Sequence, residues 1–172
     1  MAHEQISIRD ARADDRPAIA SLTMAAYAEY ATVMEPSAWA PLERVLRNTL
    51  ATDPPGEWIV AERAGALAGS VLLSPPVAGA YGGEVEQIDW PEVRLLAVEP
   101  ALRGQGVGQA LMDECVARAR AAGYRTLGLH SSASLRAALR MYERMGFVRA
   151  PAYDFQPPGA ELVMAFRLDL ER

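Results

Sequence analysis

The stretch of this chain best suited to chemistry is Arg103-Gly104-Gln105-Gly106-Val107-Gly108, three glycines in five positions at a helix entrance. It follows a short apolar run, Glu92 to Val98, which reads as a strand. It precedes a helical pattern from about Gly108 to Ala122 with apolar residues at Val107, Leu111, Met112, Cys115, Val116 and Ala119, closed by Gly123. Glycine lets other atoms approach the main chain closely. The first-turn N–H groups of a helix have no intrahelical partner, and the helix dipole favours negative charge there. Such a turn is an anion site suited to phosphate or pyrophosphate. The same composition also makes a plain turn.

Spacing narrows the anion. A phosphate-binding P-loop ends in Gly-Lys-Ser/Thr, and the chain has no lysine. A dinucleotide fingerprint needs a third glycine where Gln109 stands, and an acidic residue ending the next strand, which here ends Leu129-His130-Ser131. A nucleotide-binding protein is therefore disfavoured.

The surrounding elements form one domain over residues 1–172, a length that supports one core rather than two. Hydrophobic residues make up 51%, in keeping with a compact soluble domain. No apolar run approaches a membrane span and no signal-peptide core is present, so the expected location is cytoplasmic, with no membrane partner. Net charge is −5 and the 17 arginines are scattered, which argues against nucleic acid. Neither histidine has a ligand-spaced companion, so no metal is expected. Cys115 falls on an apolar helical stripe and reads as a small buried hydrophobe.

Along the chain, Gln5 to Arg9 reads as a first strand and Pro17 to about Val33 as a helix. A shorter helix covers Trp39 to Leu50. Glu57 to Glu62 and Ala66 to Leu73 form a hairpin around Arg63-Ala64-Gly65. Ser74 to Pro91 is a long loop rich in Pro and Gly. After the strand–helix unit come a strand at Arg125 to His130, a helix at Ser134 to Met145, a short extended segment from Phe147, and a long final strand from Glu161 to Leu170. The order β-α-α-β-β-β-α-β-α-β-β is that of an α/β mixed sheet flanked by helices.

This order and three motifs resemble the GCN5-related N-acetyltransferase (GNAT) family. Arg103, Gly106 and Gly108 are similar to its acetyl-coenzyme A signature, Gln/Arg-x-x-Gly-x-Gly/Ala. Leu95-Leu96-Ala97-Val98-Glu99-Pro100 looks like its cofactor-flanking strand, and Tyr142-Glu143-Arg144-Met145-Gly146-Phe147 like its Tyr-x-x-x-Gly-Phe segment. The resemblance implies a mostly antiparallel sheet of the acyl-CoA N-acyltransferase type. It also implies transfer of acetyl from acetyl-CoA to a primary amine of a small molecule or protein, by direct attack. The alternative on the same fold is a non-catalytic acyl-CoA-binding or regulatory module. Homodimers are common in the family.

By the resemblance, the cofactor would contact the backbone of Leu96, Ala97 and Val98 and the turn Arg103, Gly104, Gln105, Gly106, Val107 and Gly108. Tyr142 is the family's acid toward the departing thiolate, and core packing is its plain alternative. Amide formation needs a neutral amine, so a base must take its proton. Two-residue alternation sets Glu92, Arg94, Leu96 and Val98 on one side. That makes Glu92 the candidate base, with Glu86 or a water chain as competitors. Many members have asparagine where this chain has Leu135; Ser132 or Ser134 stand in for it, unless they cap the helix. The acceptor pocket would draw on Tyr27, Tyr30, Trp39, Tyr81, Asp89, Trp90, Tyr153, Asp154 and Phe155, aromatic and acidic residues that suit a cationic amine.

Overall fold

A computed structural model describes residues 5–76 and 87–171. The elements are β1 (Ser7–Asp10), α1 (Arg16–Ala28), α2 (Pro36–Ala51), β2 (Glu57–Arg63), β3 (Ala66–Ser74), β4 (Glu92–Val98), α3 (Val107–Ala121), β5 (Thr126–Ser131), α4 (Arg136–Met145), β6 (Val148–Arg149) and β7 (Met164–Asp169). The strands form one seven-stranded sheet in the order β1-β2-β3-β4-β5-β7-β6. Among the described residues, β4 and β5 pair in parallel and the other strand pairs are antiparallel. Element order and sheet type match the reading of the sequence.

Several boundaries differ, each for a local reason. The helix from Pro17 stops at Ala28 and tightens into a 3-10 turn over Glu29–Thr32. The last helix starts at Arg136 rather than Ser134. The last strand starts at Met164 rather than Glu161. Upstream of it the Ala160 N–H closes a turn on the Pro157 carbonyl at 3.0 Å, and Phe155 bridges to Val163, so residues 156–162 form a loop. The hairpin is made by Ala64 and Gly65, both with positive φ (52° and 75°), the twist a two-residue turn requires.

The sheet separates two apolar layers. On one face Ile59, Ala61, Val71, Leu73, Val93, Leu127 and Leu129 pack against Val107, Leu111, Met112, Cys115 and Ala119 of α3 and Tyr142 of α4. On the other, Trp58, Val60 and Leu72 meet Ile19 of α1, and Ala97 meets Leu22 and Ala26. Burial pushes the Cys115 thiol up to about 12, so it behaves as an apolar core atom.

The first turn of α3 sits hard against β3. A methyl group at Gly69 would lie 2.9 Å from the Ala97 carbonyl oxygen and 2.9 Å from Val107 Cγ1. Gly69→Ala is expected to lower stability by about 1–3 kcal/mol, the usual cost of overpacking, read as a lower urea midpoint. An unchanged midpoint would contradict this close approach. Cys115 is expected to resist a thiol reagent in the native protein at pH 8–9 and to react on unfolding. An unfolded thiol ionises near pH 8.5 and the folded one near 12, so its stabilising contribution is complete below the first value and declines as pH rises toward the second.

Candidate active site

The site begins as a defect in the sheet. β4 and β5 share only two register pairs, Glu92 with Gly128 and Val93 with Leu129, and then part. On its other edge β4 stays paired to β3, but Leu95 and Leu96 together face the single Val71 between the Ser70–Ala97 and Leu72–Arg94 pairs. Leu95 takes the left-handed conformation, φ 53°. Its side chain packs in the Ile19–Trp58–Leu72 cluster, while Leu96 and Val98 pack on the α3 layer. The Glu99 N–H donates to the Ala68 carbonyl at 2.9 Å. By two-residue alternation Ala97 therefore also turns its polar backbone toward β3, and Leu96 and Val98 present theirs to the gap beside β5.

The bulge corrects one expectation. Glu92 does not share a face with Leu96 and Val98, because the extra residue reverses alternation. Val93 lies in the α3 layer with Leu96 and Val98, leaving Glu92 on the opposite face.

A cleft of about 910 Å³ runs through the gap from one face to the other. One wall is Val93 to Val98 together with Gly104, Gly106, Val107 and Gly108; another is Ala137, Ala138, Met141 and Tyr142 of α4. The far wall is Tyr27, Tyr30, Met34 and the α2 residues Ala38, Pro41, Leu42, Val45 and Leu46. Gly104 (φ 73°) and Gly106 (φ 88°) carry the turn into α3, with Gly106 as the residue capping the helix. A Cβ at Gly104 would meet nothing within 4 Å, so the turn is open on that side.

Two side chains of this turn are already occupied. Arg103 pairs with the Glu29 carboxylate and donates to the Ala26 carbonyl at 2.9 Å, tying the glycine turn to the end of α1. The Gln105 amide oxygen accepts from Arg63, its nitrogen donates to the Ala101 carbonyl at 3.2 Å, and Gln105 does not line the cleft. What the turn offers an anion is its backbone.

Tyr142 is buried in the cleft wall. Gly146 (φ 94°) ends α4, and the Phe147 N–H donates back to the Tyr142 carbonyl at 3.0 Å. This folds the Phe147 ring onto the Tyr142 ring at 5.8 Å. The Tyr-x-x-x-Gly-Phe spacing is thus a helix stop that fixes a phenol. Burial, reinforced by Tyr27 and Tyr30, holds the Tyr142 hydroxyl well above the ordinary phenol range. Burial does the same for Tyr27 and Tyr30.

The Glu92 carboxylate is buried and does not line the cleft; Oε1 lies 3.2 Å from His130 Nδ1. His130 Nε2 lies 2.9 Å from the Tyr153 carbonyl, which only accepts, so that nitrogen carries a proton. His130 itself lines the cleft, as do Ser131 and Ser132 at the end of β5. Ser134 Oγ donates to Glu161 Oε1 rather than capping α4, whose capping position is Leu135. Glu161 borders the cleft too, and among the described residues its buried Oε2 has no hydrogen-bond partner.

Of the residues expected in the acceptor pocket, Tyr27, Tyr30 and Phe155 line the cleft. Trp90 and Tyr153 stack edge-on at 4.8 Å away from it. Asp154 is consumed by Arg149 at 2.7 Å and by the Ala165 N–H at 2.8 Å, which together hold its carboxyl below the usual range. Trp39 and Asp89 are not in the wall, and Tyr81 and Glu86 fall outside the described residues. His130, Ser131 and Glu161 were not singled out from the sequence. A signal for the first two was present, since polar residues ending an apolar strand beside a parallel neighbour sit where open sheets bind ligands. Among the described residues no cluster of His, Cys, Asp or Glu is arranged to hold a metal, and no helix is long and apolar enough to cross a membrane.

A sheet split beside a bulge, with a glycine-rich helix entrance at one end of the gap, defines an acyl-CoA N-acyltransferase fold. The acetyltransferase (GNAT) family model matches residues 18–147, and the chain belongs to that family. A mycothiol acetyltransferase from Cellulomonas flavigena is 36% identical over 112 residues, covering 63% of this chain but 31% of its own length. An IAA acetyltransferase from Azospirillum brasilense is 29% identical over 112 residues, 64% of this chain and 67% of its own length. The chain thus spans about a third of the first of these relatives. A GNAT family acetyltransferase from Brucella melitensis, crystallised with acetyl-CoA, superposes with a TM-score of 0.60 at 25% identity, covering 97% of this chain and 89% of its own.

Proposed function

We propose that this protein transfers acetyl from acetyl-CoA to a primary amine by direct attack, without an acyl-enzyme intermediate. The observation that carries the reading is the gap itself. It joins free backbone groups of β4, the glycine turn and a buried phenol in one cleft that opens toward both faces of the sheet. The residues fit the donor. The backbone of Leu96 and Val98 suits an amide-bearing pantetheine arm, and the helix entrance at Gly104 to Gly108 suits a pyrophosphate. Amides at the bulge are free to polarise the thioester carbonyl and to bind the oxyanion that develops there. The acceptor enters from the α1–α2 face, opposite the donor, so the two substrates meet without crossing.

Tyr142 is the proton donor toward the departing sulfur. Its burial keeps the phenol protonated at neutral pH, and the dry wall that disfavours a phenolate disfavours a thiolate equally. The proton leaving the amine goes to the cleft side of β5. There the His130 ring reaches the cleft with Nε2 committed to the Tyr153 carbonyl and Nδ1 facing Glu92, so the acceptor is the Glu92 carboxylate, reached through water rather than by contact with the amine.

Incubation with acetyl-CoA and a panel of primary amines, following free thiol, is expected to give amine-dependent turnover. Tight donor binding with no turnover on any amine would favour a binding module instead. Tyr142→Phe and Glu92→Gln are each expected to lower kcat by about 100-fold with acetyl-CoA affinity unchanged. Wild-type turnover in either variant would remove that residue from the proton path.

A further inference from the structure

Among the described residues, Ser131 Oγ and Glu161 Oε2 in the cleft wall have no hydrogen-bond partner. Closing a carboxylate oxygen away from water without a donor is unfavourable. The surrounding protein has not relieved that cost at Glu161. Its Oε1 is held by Ser134, which fixes the carboxylate against the start of α4, and the space it borders is the cleft. No arginine forms an ion pair with Glu161 among the described residues, although Arg140 and Arg144 also border the cleft.

Glu161 borders the cleft where Ser134 holds it at the start of α4, and the chemistry lies where β4 and β5 part. The strands part at Val93 and Leu129, and the Tyr142 phenol lies two helical turns along α4 from its first residues. Ser131, which pairs with Met164, is two residues beyond Leu129, roughly 7 Å along the strand. Glu161 lies three positions before Met164, in the loop that the Phe155–Val163 bridge closes. The α2 side of the wall is apolar, built by Met34, Ala38, Leu42, Val45 and Leu46. Val45 is 53% exposed while Met34, Ala38 and Leu46 are buried, so the strip is open at Val45 and packed elsewhere.

We infer that the acceptor is an amine bearing a second, cationic nitrogen across an apolar spacer. The reacting amine lies at the β4–β5 split, the spacer lies along α2, and the distal ammonium donates to Glu161 Oε2. This assignment rests on the acetyltransferase reading and names its substrate class. A carboxylate favours a cation over a neutral donor, because charge-assisted hydrogen bonds are about twice as strong. It also disfavours the phosphates of the donor as its ligand.

The test compares α,ω-diaminoalkanes of increasing chain length with n-alkylamines of matched length, in wild type and Glu161→Gln. The glutamine retains an oxygen for Ser134 and lacks the charge. In wild type the best diamine should show kcat/KM at least about 10-fold above its matched monoamine, an advantage residing in KM. Glu161→Gln should abolish that advantage, leave monoamine turnover unchanged and leave acetyl-CoA affinity unchanged. Equal kcat/KM for diamine and monoamine in wild type overturns the inference, as does a diamine advantage that survives in Glu161→Gln. Calorimetric titration of the diamine into the protein–CoA complex separates the two layers. Glu161-dependent binding without turnover overturns the acetyltransferase reading and keeps Glu161 as an ammonium site alone, whereas equal turnover of monoamines and diamines upholds that reading and overturns the inference.

Discussion

Between Arg94 and Ala97 the chain places two residues, Leu95 and Leu96, opposite a single residue of β3, and it holds Leu95 in a left-handed conformation to do so. For a leucine that conformation costs about 1–2 kcal/mol. Burial of its side chain among Ile19, Trp58, Val60 and Leu72 offsets the cost. The consequence is large because β4 is a central strand. Its β5 edge unpairs just where the bulge begins, and the polar backbone so released faces a gap lined by both layers of helices. A regular β4 would close the sheet and leave no route between the two faces.

The remaining elements act on this opening. Gly69 lets α3 approach β3 closely enough to seat the glycine turn at the end of β4. Arg103 spends its charge on Glu29 and the Ala26 carbonyl, which fixes the turn relative to α1 and thus relative to the acceptor wall. Gly146 stops α4 so that Phe147 braces Tyr142 from behind. Each of these residues positions backbone or a ring; none needs an unusual side chain.

Much of this was legible in the sequence. The strand–turn–helix around Arg103 to Gly108 and the helix stop at Gly146 are signalled by glycines whose physical purpose is local, and local rules recover them. The bulge is not local. Nothing in Arg94-Leu95-Leu96-Ala97 distinguishes a bulged strand from a regular one, because the extra residue is defined only by its pairing with β3. The face expected for Glu92 was wrong on that account, since one inserted residue moves it to the other side of the sheet. Arg103 and Gln105 look like anion-binding side chains in sequence, yet their partners Glu29 and Arg63 are distant in the chain. His130 and Glu161 gain meaning only from neighbours brought together by the sheet. Glu161 was further obscured because the last strand begins three residues later than its apolar pattern suggests.

The central claim is that unpaired backbone of β4 and the glycine turn together receive the donor. Residue-resolved amide hydrogen exchange with and without saturating acetyl-CoA tests it most directly. The account predicts added protection at Leu96, Val98 and Gly104 to Gly108, with little change at Ala97 and Glu99, whose N–H groups already face β3. Unchanged exchange at Leu96 and Val98 in the presence of bound acetyl-CoA would contradict it.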